Sequence, residues 1–164
     1  NTATIALRAG GKVNLENDDG TFRVRQDRDI VELDTGDFTG RCHKTDAEIL
    51  NWVRHFNKPL PNGESEAMVL ERVQRFFDRE VMPRIEKGET VMVVAHAGIV
   101  RVFDYVLGTA DIPVTPEAIE AAKRRSVPNA TPVLFDFVNG KLVSETMLLE
   151  GGQRQQRDIA PRQR

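Results

Sequence analysis

His96 is the residue whose type and setting carry the most chemistry. It follows the run Thr90–Ala95, Thr-Val-Met-Val-Val-Ala, and precedes Ala97-Gly98. A continuous apolar, β-branched run of this length predicts a strand buried on both faces of a parallel sheet. Such a strand delivers His96 to the carboxyl edge of the sheet, where ligands of open α/β folds bind. Ala97 and Gly98 leave the approach to the imidazole unobstructed. Helical spacing resumes at Ile99, Val102, Phe103 and Val106, so backbone N–H groups at a helix start would favour an anion there. A histidine that only satisfies a loop carbonyl has the same sequence signature.

Glu32 opens Glu-Leu-Asp-Thr-Gly-Asp-Phe-Thr-Gly, residues 32 to 40, behind the short apolar pair Ile30-Val31. A carboxyl group held partly buried at such a place is pushed towards general-acid duty. A solvated acid in a turn is the alternative, for Glu32 as for Asp34 and Asp37. Leu7-Arg8-Ala9-Gly10-Gly11-Lys12 sets two cations beside two glycines, which suits an oxyanion cradle or a plain surface loop. It has neither Walker-loop nor dinucleotide spacing. His43 and His55 are isolated, no nucleophile elbow is present, and three scattered histidines make no metal site.

The elements that must position these groups alternate in type. Thr4–Leu7 reads as a brief strand running into Gly10-Gly11. Residues 14 to 28 are polar, with a turn at Asp18-Asp19-Gly20. Thr45 and Glu48 have capping-box spacing ahead of Ile49, Trp52, Val53 and Phe56, which predicts a helix of three turns. A second amphipathic pattern starts near Ser65, carries Leu70, Val73, Phe77 and Val81, and is closed by Pro83 and Gly88. Thr115-Pro116 caps another helix ending near Arg125. Thr131–Val138, Asn139-Gly140 and Lys141–Leu149 spell a hairpin. Residues 1–150 then form one domain, and 151–164 a frayed basic tail. The alternation predicts a three-layer α/β/α sandwich around a mostly parallel sheet.

Composition narrows the function. The 164 residues are 40% hydrophobic and 29% charged, enough for one core, and the net charge of -2 with a pI near 6.0 gives no general attraction to nucleic acid or membrane. The lone Cys42 excludes an internal disulfide framework and is compatible with a reducing cytoplasm. No run approaches the ~20 apolar residues needed to span a bilayer. Trp52 and the Phe76-Phe77 pair suit a homodimer interface as well as a core.

Taken together, these segments resemble the histidine phosphatase, or phosphoglycerate mutase-like, superfamily. Val91–Arg101, Val-Met-Val-Val-Ala-His-Ala-Gly-Ile-Val-Arg, is similar to the family's second-histidine motif. Leu60-Pro61-Asn62-Gly63-Glu64-Ser65 resembles its Gly-Glu-Ser segment, Glu32–Gly40 the stretch led by its proton-donating glutamate, and Val127-Pro128-Asn129-Ala130 the segment closing its site. The resemblance covers about residues 29 to 145.

It implies a phosphatase hydrolysing a small phosphate monoester through a phosphohistidine, with Glu32 as acid/base and His96, Arg8, Gly10 and Ala97 around the phosphate. Asn14, Arg23 and Asn129 are further candidates. No cofactor and no metal are implied, and the expected partner is a small phosphorylated metabolite. Ala9 stands where the family's nucleophilic histidine belongs, in Arg8-Ala9-Gly10, and Gly11–Val31 is shorter than the family's connection. The form therefore reads as inactive or impaired. The alternatives are a non-catalytic module that holds a phosphorylated ligand and a phosphoglycerate mutase. Ala97 and Ile99, in place of the mutases' Asn-Ser pair, favour the phosphatase.

Overall fold

Asn139 and Gly140 take φ values of 51° and 72°, the left-handed pair that a two-residue type I′ turn requires, and the flanking residues pair as predicted. In the computed structural model, which describes residues 2–11, 17–42, 45–52, 55–113, 115–124 and 127–159, β1 (Val133–Val138) runs antiparallel to β2 (Lys141–Leu148). A short connection brings β3 (Arg154–Asp158) back along the other edge of β2, pairing Ser144 with Asp158 and Leu148 with Arg154. The segment expected to fray is therefore a strand in its first half. Its ladder bonds and the Arg157–Glu145 ion pair hold it where side-chain burial does not.

The helices follow their local signals with instructive exceptions. Ser65 caps α3 (Glu66–Phe76), its Oγ accepting the Met68 N–H at 3.2 Å. The helix does not stop at Pro83. It widens into a π turn at Phe77–Val81 and resumes as α4 (Met82–Ile85), with the proline in α4's first turn, where no N–H is needed. The cap of α2 (Ala47–Trp52) is Asp46 rather than Thr45. Asp46 Oδ1 accepts from the Glu48 and Ile49 N–H groups. Thr115 caps α6 (Pro116–Arg124) through the Ala118 N–H, and α5 spans Ala97–Val106.

Two expectations are corrected. Thr4–Leu7 is no strand: it lies in α1 (Thr2–Ala9), where only Ala3 is buried and Ile5 is exposed. Four apolar residues fit either period, and the neighbours extend them as a helix. Among the described residues, the ladders form one sheet of three antiparallel strands, not a mostly parallel one. Hairpin-length connections permit no other direction.

Thr90–Ala95 carries the second correction. It is extended, and it alternates: Val91, Val93 and Ala95 pack on the core while Met92, 56% exposed, and Val94 face outwards. Yet it is laddered to no strand, and among the described residues none of its backbone groups makes a hydrogen bond. The main core joins α3, the π turn and α5 through Val69, Val73, Phe76, Phe77, Ile99, Val102 and Phe103. Phe76 and Phe77 both meet the Phe103 ring edge-on, so this pair serves the core. A smaller cluster of Phe38, Ile49 and Leu60 takes the edge of Trp52, and Leu33 packs against both clusters.

Candidate active site

The site starts from two loops that must approach closely. Residues 34–37 and 61–64 are stitched by Asp37 N–H to Pro61 O at 3.0 Å, Glu64 N–H to Asp34 O at 2.9 Å and Asn62 Nδ2 to the Asp37 carboxylate at 3.1 Å. Glycine makes this approach possible. A Cβ on Gly36 would lie 2.1 Å from Pro61 O, and one on Gly63 2.5 Å from Asp34 O; Gly36 is also left-handed, at φ 52°. Thus Gly36 and Gly63 are explained by each other.

This junction fixes the path of Glu32. Leu33 is wedged between the two apolar clusters, and the Glu32 carboxylate reaches the first turn of α5. A Cβ built on Gly98 would stand 2.5 Å from Glu32 Oε1 and 3.0 Å from Oε2. The carboxylate therefore occupies the space that a side chain at 98 would take, two residues beyond His96. Glu32 Oε1 also accepts the Leu33 N–H at 2.9 Å. Glu32 is exposed, the solvated setting that the sequence left open, with its carboxylate against Gly98.

His96 is the N-cap residue of α5, with extended backbone (φ -72°, ψ 156°), and its side chain makes no capping bond. α5 has no acidic residue in its first turn. Among the described residues the N–H groups of Ala97, Gly98 and Ile99 have no acceptor, the usual condition of a helix start that can take an anion. His96 and Ala97 are both exposed beside them.

The remaining candidates have other settings. Arg8, Ala9 and Gly10 sit at the exposed end of α1; Arg8 donates to Gly20 O at 2.8 Å and lies over the Phe22 ring. Arg23 bonds Asn17, and Asn129 is exposed in the turn before β1. Lys12, Asn14, His43 and Val53 lie outside the described residues. Among the described residues no three His, Cys, Asp or Glu side chains gather as a metal site, and no helix is long and apolar enough to cross a membrane.

Sequence reasoning missed Arg72. It is only 7% exposed, and its guanidinium bonds both Glu64 oxygens at 2.9 Å, Asp29 O at 2.8 Å and Glu32 O at 3.2 Å. An arginine among the apolar positions Val69, Val73 and Phe76 was the available signal. Burial pushes the Glu64 carboxyl up, but Arg72 and the Asp34 N–H outweigh it and hold the group below its ordinary value.

His96 at the uncapped start of α5 and the Glu32 carboxylate against Gly98 thus stand at one helix start, on a mixed helix and strand scaffold. The profile of the histidine phosphatase superfamily (branch 1) matches residues 8–115, and the chain belongs to that superfamily. Similar relatives include proteins named 2,3-bisphosphoglycerate-dependent phosphoglycerate mutase. That of Parvibaculum lavamentivorans is 29% identical over 139 residues, which cover 80% of this chain and 62% of the relative. That of Nitrobacter winogradskyi is 32% identical over 143 residues, covering 82% and 65%. In both comparisons the chain spans less than two thirds of the relative's length.

Proposed function

We propose that this chain carries the phosphate-holding and acid/base side of a phosphoryl-transfer site for a small phosphate ester. The observation that carries the reading is the Glu32 carboxylate against Gly98, beside His96 at the start of α5. In this reading the phosphoryl oxygens accept hydrogen bonds from the His96 ring and the first N–H groups of α5, and Glu32 protonates the leaving oxygen as its P–O bond breaks. Transfer through a phosphohistidine needs an imidazole to form the new N–P bond; water then attacks phosphorus, the N–P bond breaks, and a proton of that water passes to the Glu32 carboxylate. With Ala9 in the nucleophile position, the 164 residues bind the ester and turn it over poorly.

The relatives' name favours a second reading, in which the phosphoryl group returns to the substrate instead of passing to water. Release of inorganic phosphate from monoesters, against interconversion of 3- and 2-phosphoglycerate primed by 2,3-bisphosphoglycerate, separates the two. Calorimetry with phosphate and vanadate tests the site itself. Binding that Ala9→His leaves without turnover indicates the non-catalytic module. Where turnover is measurable, Glu32→Gln lowers it by roughly 10²–10⁴. No binding of either anion sinks the proposal.

A further inference from the structure

We infer that the Glu64–Arg72 pair is a positioning device for Glu32, an inference that rests on the phosphoryl-transfer reading above. The pair grips the backbone around the proton donor at Asp29 O, Glu32 O and the Asp34 N–H, the last donating to Glu64 Oε2 at 3.0 Å. Arg72 uses three nitrogens in one plane for these contacts and for both Glu64 oxygens. An ammonium could not hold that fork.

A buried ion pair is weak evidence for stability, since apolar residues of similar volume often replace one without loss. What such residues could not do is hold two carbonyls and an N–H of an exposed loop. Among the described residues the Glu32 carboxylate itself is tied only to its neighbour's N–H, so the backbone clamp decides where it stands relative to Gly98.

The test is nuclear Overhauser spectroscopy on the full chain, with vanadate titration alongside. The wild type shows a contact between the Glu32 γ-protons and the Gly98 α-protons. In Arg72→Met this contact disappears while the Val73 and Ile99 core signals stay in place, and vanadate affinity falls about tenfold, as for one lost charge-assisted hydrogen bond. Glu64→Gln and Arg72→Lys, which preserve the volume, weaken the contact at least twofold and keep the inference testable if Arg72→Met does not fold. An undiminished contact in the folded variants overturns it. A wild type that shows the contact but binds no vanadate supports the clamp and counts against the phosphoryl-transfer reading instead.

Discussion

At the residue scale, Gly98 separates folding from function. It lies in the first turn of a helix, where alanine is favoured over glycine by up to about 1 kcal/mol. But a Cβ there stands 2.5 Å from Glu32 Oε1, the movable end of a side chain. Gly98→Ala is therefore expected to leave the melting temperature unchanged or slightly raised while displacing the carboxylate and weakening vanadate binding. Calorimetry and thermal melting on the same sample check both. The glycine was legible in the sequence as an open approach to His96. That the space belongs to Glu32 was not, because the two residues meet only through the fold. Glu32 and His96 were readable as candidates from their flanking residues, whereas Arg72 was not. Its acceptors lie on a distant loop that no local pattern connects to it.

At the element scale, strength of local signal divides what was readable from what was not. Asn139-Gly140 and Thr115-Pro116 each specify a backbone geometry by themselves, and both behave as read. Thr4–Leu7 and Thr90–Ala95 carry only apolar content, and apolar content selects burial rather than partner. The second segment duly packs one face on the core yet has no ladder among the described residues. Its amides are expected to exchange with solvent close to the unprotected rate, while those of β2 paired on both edges, Ser144 to Leu148, are strongly protected. Hydrogen exchange resolved by residue checks this. Protection across Thr90–Ala95 comparable to β2 would mean that the segment pairs in solution.

At the scale of the whole molecule, acid should unfold the protein through its arginine-bound carboxylates. Asp27, Asp46, Glu64 and Glu80 are all held below their ordinary values. Because the folded state lowers these pKa values, the stabilisation is fully present above the unfolded values of about 4 and is lost as the pH falls through the folded ones. The melting temperature is expected to be flat between pH 7 and about 5 and to fall below about 4. Glu64→Gln, which removes the titration of the carboxylate paired with buried Arg72, should lower stability at neutral pH and flatten the acid limb. A limb unchanged by that substitution would move the cause to the other carboxylates.

The amino-acid order by itself determined the turn at Asn139-Gly140, the helix start near Ser65, the cap at Thr115, the helix that follows His96, and the two groups worth watching, His96 and Glu32. Each is a property of a few adjacent residues, so neighbours suffice to specify it. Only tertiary structure decided that the Glu32 carboxylate meets Gly98, that Gly36 and Gly63 exist for one another, that Arg72 holds the loop ahead of Gly36, and that Thr90–Ala95 packs on the core with no ladder among the described residues. These depend on contacts between residues far apart in the chain. Burial, hydrogen-bond geometry and steric exclusion select such contacts jointly, and none of the three is written in a short stretch of sequence.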